Sequence, residues 1–311
     1  MKKKLQKPRA LVLFSGGLDS MLAVKILEEQ GIEVVGLTFV SPFFGAETAE
    51  KSAKEIGIRL IVKDFSREHL KMMKNPKHGF GKNMNPCIDC HALMFRLAKA
   101  EMRKGEFDFL ATGEVLGERP MSQNKQSLFI VEKEAGLAGK LLRPLSAKLL
   151  PETEIEKSGK VDREKLLDLT GRGRDRQLAL AKKYHIKNFP TPSGGCKLTE
   201  KEFSLKLKTL LEINPGAGSE EIEILKIGRH IFNDGVHFVI GRDAGENLKL
   251  KELRNGKDLL VQSREVPGPS ILVRSYGKAP SRKSLEEGIW EMLLKYNPKA
   301  RKLEKITPEW L

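Results

Sequence analysis

Leu11-Val-Leu-Phe-Ser-Gly-Gly-Leu-Asp-Ser20 is the stretch on which the fold turns. Ala10–Phe14 is an apolar run of strand length, and Asp19–Gln30 follows with Met21, Leu22, Ile26 and Leu27 at helical spacing. Between them, Gly16 and Gly17 remove the Cβ atoms that would keep an oxyanion away from the backbone, so successive N–H groups can converge on it. The helix that begins there points its positive N-terminal end at the same place. Ser15 and Ser20 add hydroxyl donors, and Asp19 can hold a magnesium ion. A bare Gly-Gly would equally suit a tight turn capped by Asp19 or Ser20. The whole hexapeptide behind an apolar strand is the more specific signal, that of a phosphate cradle.

Outward from this loop the pattern alternates. Glu33–Phe39 reads as a strand, Gly45–Ile56 as a helix and Arg59–Val62 as a third strand. A polar, Lys-rich loop runs through Lys82. Cys90–Arg103 is then an amphipathic helix leading into strand Phe107–Thr112. Strands alternating with helices imply an α/β fold with a doubly wound parallel sheet, whose ligands sit at the carboxyl ends of the strands. Farther on, Asp162–Leu169 and Arg176–Tyr184 look helical, and Phe189-Pro-Thr-Pro-Ser-Gly-Gly195 is turn-rich and runs into Cys196. Asn214-Pro-Gly-Ala-Gly-Ser219 reads as a linker. Beyond it, Glu223–Ile227, His237–Ile240, Leu259–Gln262 and Ile271–Arg274 read as strands and Ser284–Tyr296 as a helix. Together they make a smaller C-terminal α+β domain. The expected divisions are 1–145, 146–214 and 220–311.

The length of 311 residues suits this division, and an apolar fraction of 40% permits ordinary cores. No apolar run reaches the roughly 18 residues of a membrane span. Ala10–Phe14, behind a Lys-rich start, is too short for a signal-peptide core, so the sequence reads as that of a cytoplasmic protein without a membrane partner. The net charge is +15; of 56 basic and 41 acidic residues, 35 and 24 lie in the first 196, a surplus there of +11. Such a surplus suits a polyanion, because each neutralised phosphate releases counterions. It also suits plain solubility.

Three cysteines disfavour a disulfide framework in an intracellular chain. Cys87-Ile-Asp-Cys90 precedes a helix, and Cys196 follows Gly194-Gly195. Zinc would need His91 or His185 as a fourth ligand, whereas three thiolates suit a [4Fe–4S] cluster with one iron left open. Three unrelated buried cysteines are the plain alternative.

The loop resembles the signature of the PP-loop, or N-type ATP pyrophosphatase, superfamily, which splits ATP into AMP and pyrophosphate and adenylates a carbonyl oxygen. No Gly-Lys-Ser/Thr closes it, as would be found in a Walker loop. The resemblance implies a sheet of adenine-nucleotide α-hydrolase type over residues 8–145. It sets the adenine and ribose against Leu37–Phe39 and Ala111-Thr-Gly-Glu-Val115, which adds Thr38, Thr112 and Gly113 to the nucleotide-binding set.

Asn85-Pro-Cys-Ile-Asp-Cys90, Thr112-Gly-Glu-Val-Leu-Gly117, Arg119-Pro-Met-Ser-Gln123 and Pro192-Ser-Gly-Gly-Cys196 resemble the tRNA-specific 2-thiouridylase branch of that superfamily. The resemblance covers residues 8–200. It implies that Cys87 and Cys196 are the functional thiols, with Cys90 as the third member that cluster-dependent sulfurtransferases use. Two features depart from the family: Glu114 stands where it commonly has His, and the resemblance does not extend to its C-terminal β-barrel.

Ile240-Gly-Arg-Asp-Ala-Gly-Glu-Asn247, Asp258-Leu-Leu-Val261 and Val266-Pro-Gly-Pro-Ser-Ile-Leu-Val-Arg274 resemble the NFACT-R RNA-binding module. A small domain serving only folding or dimerisation is the competing reading. Arg242, Asn247, Arg264 and Arg274 become candidates for RNA contact, as do Arg172 and Arg174 within Arg172-Gly-Arg-Asp-Arg176.

The expectation is an ATP- and Mg2+-dependent tRNA thiolase with Asp19, Cys87 and Cys196 as catalytic residues. Cys87, Cys90 and Cys196 would hold a [4Fe–4S] cluster, which the third cysteine favours over a persulfide on Cys87 or Cys196. Its partners would be tRNA, a sulfur donor (sulfide or a persulfide carrier) and, in a homodimer, a second copy of the chain. The rivals are a PP-loop enzyme adenylating a small molecule or serving another RNA modification, and a noncatalytic RNA-binding factor.

Overall fold

A computed structural model describes residues 7–191, 195–277, 281–303 and 307–311. The chain divides into two units, Met1–Thr199 and Glu200–Leu311.

The first unit runs β1 (Arg9–Leu13), α1 (Leu18–Glu29), β2 (Glu33–Val40), α2 (Glu47–Ile56), β3 (Arg59–Asp64), α3 (Ser66–Lys74), α4 (Cys87–Lys104), β4 (Phe109–Thr112), α5 (Lys125–Ala135), β5 (Leu141–Leu142), α6 (Glu154–Lys157) and α7 (Asp175–Lys183). All five strands pair in parallel, in the order β3-β2-β1-β4-β5. This is the expected doubly wound α/β sheet. Side chains alternate across β1: Ala10, Val12 and Phe14 join the core beneath α1 and α2, while Leu11 joins the core that includes Phe95, Ala98 and Val131 of α4 and α5. The strand order reverses between β1 and β4. The carboxyl ends of these two strands are therefore the switch point at which such sheets bind ligands.

Two local expectations are corrected here. Ser66–Lys74 belongs to the stretch read as a polar loop but is helix α3, with His69, Leu70 and Met73 buried. Asp64 accepts a hydrogen bond from the Ser66 N–H (2.7 Å), an N-terminal signal hidden by the surrounding lysines. Asp162–Leu169, read as a helix, contains only a 3-10 turn at Arg163–Lys165. The backbone beyond that turn is bonded elsewhere, Leu167 N to Pro144 O (2.9 Å) and Leu169 N to Leu145 O (2.8 Å). The expected turn at Phe189–Gly195 lies partly outside the described residues, since 192–194 are not among them.

The second unit runs α8 (Lys201–Ile213), α9 (Ser219–Leu225), β6 (Arg229–Asn233), β7 (Val236–Ile240), α10 (Ala244–Glu252), β8 (Leu259–Ser263), β9 (Ile271–Ser275), α11 (Arg282–Tyr296) and β10 (Pro308–Trp310). Its antiparallel sheet has the order β10-β8-β9-β7-β6, the smaller α+β domain the sequence predicts. One face packs on Leu285, Ile289 and Leu293 of α11, the other on Ile224 and Leu250 of α9 and α10. Asn214–Ser219 is the turn between α8 and α9. Glu223–Ile227 is not the expected strand: Glu223–Leu225 completes α9 and Ile227 follows it. Its Glu-Ile-Glu-Ile alternation mimics a strand, but Glu221 accepts from the Gly218 N–H (2.8 Å) and so starts a helix.

Candidate active site

Gly16 has φ +79°. A Cβ there would lie 2.6 Å from Thr48 O and 2.7 Å from the Ala49 backbone, so the fold itself demands glycine. Gly17 is different. A Cβ would meet nothing nearer than Ser15 Oγ at 3.5 Å, so no protein neighbour excludes a side chain. Ser52 on α2 donates to Gly16 O (2.7 Å) and anchors the loop from behind. Ser15 is exposed, and its Oγ accepts from the Gly17 N–H (3.3 Å). Ser20 is buried and donates to Gly17 O (2.8 Å), so its hydroxyl proton already serves the helix start.

The loop after β4 presses against this one. A Cβ on Gly113 would lie 2.5 Å from Ser20 N and 2.6 Å from the Asp19 carbonyl carbon. Thr112 and Thr38 are buried near the carboxyl ends of β4 and β2. Asp19 Oδ1 is buried without a hydrogen-bond partner. Burial pushes the Asp19 carboxyl up, against the pull of Arg174 and Arg119 and of the Gln177 side chain. Burial and the Asp19 charge likewise push the Glu118 carboxyl up. Glu118, Arg119 and Gln177 carry no motif of their own in the sequence. The position of Glu118 and Arg119 just past the carboxyl end of a parallel strand was the available signal.

Cys87 opens α4 and Cys90 stands one turn on. Asn85 Nδ2 donates to Cys87 Sγ at 3.2 Å. Cys196 arrives from the far end of the unit: Lys197 N bonds to Phe43 O (3.0 Å), and Asn83 Nδ2 donates to Thr199 O (2.7 Å). The three thiols come near enough to interact. Burial pushes the Cys90 thiol well above its usual range, and Cys196 and then Cys87 add to the effect. Cys90 Sγ also lies 3.5 Å from Nε2 of His69. His69 is fully buried, stacks on Phe65 and is held neutral by burial, with a pKa lowered to about 4. Among the described residues, no group of three His, Cys, Asp or Glu side chains is placed to hold a metal ion.

Glu114, the departure from the family pattern, links the two halves of the site. Its Oε1 pairs with His91 Nδ1 (3.0 Å) at the start of the second turn of α4, and its Oε2 accepts from Arg143 Nε (2.9 Å). Arg143 also pairs with Glu132. Burial alone would raise the Glu114 carboxyl, but Arg143 and His91 hold it below the usual range, so it stays ionised. The cysteine helix is thereby fastened to the residue next to Gly113, and Gly113 packs on the phosphate loop.

The residues expected at RNA separate sharply. Arg172 is exposed, whereas Arg174 is half-buried and influences Asp19. Arg264 is exposed; Arg242 is exposed but bound to Glu246 (2.9 Å). Asn247 lies inside the second unit's fold, donating to Gly268 O (3.1 Å) and accepting from Ser270 N (2.9 Å). Arg274 is 3% exposed and pairs with Asp258 (2.6 Å) and Glu220 (2.9 Å).

With a parallel sheet, a glycine cradle at its switch point and thiols beside it, comparison with known families has a geometry to explain. Residues 6–149 match the family described as Thiamine biosynthesis protein (ThiI). Over 148 residues the chain is 30% identical to the "Probable tRNA sulfurtransferase" of Moorella thermoacetica, covering 45% of this chain and 36% of that protein. Over 141 residues it is 30% identical to the "tRNA-specific 2-thiouridylase MnmA" of Rhodopseudomonas palustris, covering 40% of this chain and 35% of that one. The chain thus spans about a third of the length of the curated relatives it matches. A solved structure titled "The crystal structure of predicted subunit of tRNA methyltransferase from Methanocaldococcus jannaschii DSM" is similar at 19% identity, over 57% of this chain and 76% of that one. Its TM-score of 0.36 is too low to carry an argument. No helix among the described residues is long and apolar enough to cross a membrane.

Proposed function

We propose that the chain is an ATP-dependent tRNA sulfurtransferase that exchanges a pyrimidine carbonyl oxygen, that of uridine above all, for sulfur. The observation that carries this reading is the 3.0 Å contact of His91 with Glu114, which puts the cysteine helix beside the phosphate loop. ATP activation and sulfur delivery then share one crevice. The relatives' names, tRNA sulfurtransferase and 2-thiouridylase, point the same way.

The bare backbone at Gly17, the Ser15 hydroxyl and the start of α1 bind the ATP phosphates. The carbonyl oxygen of the target base attacks the α-phosphorus, pyrophosphate departs, and the oxygen becomes part of AMP, a good leaving group. Sulfur then adds at the base carbon and AMP leaves. The base has to be turned out of its stack to reach the loop. Asp19 is suited to Mg2+, because its buried Oδ1 lacks a partner and burial disfavours its charge until a cation arrives. Cys87, Cys90 and Cys196 are the donor types of a [4Fe–4S] cluster but do not stand as a preformed metal site; mutually opposed as anions, they would gain stability as thiolates only by closing on positive charge. Such a cluster would supply an open iron site for hydrosulfide. The chain's part is to present those thiols, with Asn85 at Cys87 and His69 at Cys90 orienting the sulfurs. Exposed Arg172, Arg242 and Arg264 are the surface candidates for tRNA phosphates. An RNA-binding role for the NFACT-R-like second unit belongs to the same proposal, as do a cytoplasmic location, a homodimer, and a three-part domain division at 145, 214 and 220.

Nucleoside mass spectrometry of tRNA incubated anaerobically with the protein, Mg-ATP and sulfide is expected to show a thionucleoside that needs ATP and vanishes in Cys196→Ala. Unchanged product in that variant would sink the role of the cysteines. Pyrophosphate release without any need for tRNA would move the assignment to adenylation of a small molecule.

A further inference from the structure

The motif Arg172-Gly-Arg-Asp-Arg176 places three arginines on one short turn, and the fold gives them different surroundings. Arg172 is exposed. Arg176 pairs with Asp168 at 2.6 Å. Arg174 is half-buried, and its Nε is shut off from solvent without a hydrogen-bond partner.

The position of Arg174 is built rather than incidental. Gly171 N donates to Leu116 O (2.8 Å) and Thr170 Oγ1 donates to the same carbonyl (3.0 Å), so this segment is laid against the loop after β4. Gly171 has φ +80°, which turns the chain into α7. One turn into α7, Gln177 is 2% exposed and faces the Asp19 carboxyl. Arg174 is thus held beside the phosphate loop by two neighbours that are themselves fixed. No ion pair among the described residues joins it to Asp19. A guanidinium donor buried without an acceptor costs free energy that an arriving acceptor recovers, and Arg174, unlike Arg143 and Arg274, makes no ion pair among the described residues to offset it. Asp19 Oδ1 lacks a partner in the same place. A buried donor and a buried carboxylate oxygen, both unpartnered, describe a site whose missing occupant carries anionic oxygens and a cation.

We infer that Arg174 binds the β- and γ-phosphates of Mg-ATP and holds the pyrophosphate as it leaves. This deepens the sulfurtransferase reading and rests on its nucleotide site. When the α-phosphorus–oxygen bond to pyrophosphate breaks, its electron pair stays on the departing oxygen, and a guanidinium there stabilises that charge through paired N–H donors. Asp19 would hold the metal, while Arg174 takes the phosphate oxygens the metal does not reach. The glycine loop alone offers neutral donors, so Arg174 supplies the fixed positive charge that a Walker-type loop draws from its lysine.

Isothermal titration of the full chain with Mg-ATP, AMP and inorganic pyrophosphate tests the assignment. Arg174→Ala is expected to weaken ATP and pyrophosphate by roughly tenfold or more while AMP stays within about twofold. Arg174→Lys should recover part of the loss, and Lys182→Ala, an exposed change on the same helix, should alter nothing. Unchanged ATP affinity in Arg174→Ala, with wild type binding normally, overturns the inference and leaves the nucleotide site standing. Equal weakening of AMP makes Arg174 a structural residue and also overturns it. So does loss of tRNA affinity with ATP affinity intact, which returns Arg174 to an RNA surface. Failure of the wild type to bind ATP overturns the nucleotide reading and this inference together.

Discussion

Arg174 and Arg274 carry the same side chain, and the sequence offers the same expectation for both, contact with RNA. Their surroundings differ. Arg274 in the second unit is 3% exposed, and its Nε and Nη2 serve Asp258, Glu220 and the Leu253 carbonyl, leaving Nη1 without a hydrogen bond among the described residues, 3.7 Å from Glu221. Arg174 in the first unit is held near a carboxyl group without pairing with it, and its buried Nε has no partner. An arginine whose Nε and Nη2 are matched by buried acceptors holds a fold together. One positioned by its neighbours yet left without an acceptor is arranged for something that arrives later.

Arg274→Ala should give the largest change in stability. It strands Asp258, whose side chain is 1% exposed, and removing one partner of a buried pair costs about 3–5 kcal/mol. Chemical denaturation of the full chain should show this loss in the second unit, whereas Arg174→Ala should leave the denaturation midpoint nearly unchanged. If Arg274→Ala unfolds no more readily than Arg174→Ala, the contrast between the two arginines is wrong.

A smaller effect comes from pH. His69 has a pKa lowered to about 4 by burial, against about 6.5 in an unfolded chain. Between those values the unfolded chain binds a proton that the folded one does not. Stability present above pH 6.5 is therefore lost as pH falls toward 4, by at most about 3 kcal/mol. His230 in the second unit, lowered to about 3, acts in the same direction. Urea titrations between pH 7 and 4.5 should show the first unit's pH dependence flattening in His69→Leu, with that of the second retained. An undiminished slope would remove His69 as its source.

The smallest effect belongs to Arg242. Its i,i+4 pair with Glu246 is exposed on the Arg242 side only, so Arg242→Ala should cost no more than about 1 kcal/mol. If Arg242 meets tRNA, the same variant should weaken tRNA binding in a filter assay at low salt, with the difference shrinking as salt rises. A large fall in thermal stability would move Arg242 into the class of Arg274.

The first unit was more legible in the sequence than the second, for a physical reason. A buried parallel strand needs an apolar run, and its covering helix needs a stripe, so Ala10–Phe14 and Asp19–Gln30 declared themselves. In the second unit Glu221-Ile-Glu-Ile224 alternates like a strand, yet Glu221 closing on Gly218 makes it helical, and a short alternating run cannot tell the two apart. The roles of Ser52, Glu118 and Gln177 were hidden because each acts on a loop far away in the chain. In the sequence Glu114 differs from the resembled family's His and shows nothing more. Its importance lies in His91 and Arg143, which flank it in space alone.

What the sequence determined by itself was the glycine cradle between strand and helix, the alternation that builds a parallel sheet, and the presence of three thiols. Those are properties of neighbours along the chain, and local stereochemistry and periodicity suffice to read them. Only the tertiary structure decided that Cys196 reaches Cys87 and Cys90, through a bond between Asn83 and Thr199 that spans 116 residues. It alone decided that of Arg172, Arg174 and Arg176 the middle one turns toward Asp19. Whether a polar group is open to a ligand or satisfied by the fold depends on what distant segments bring to it, and that becomes a property of the chain only once the chain has folded.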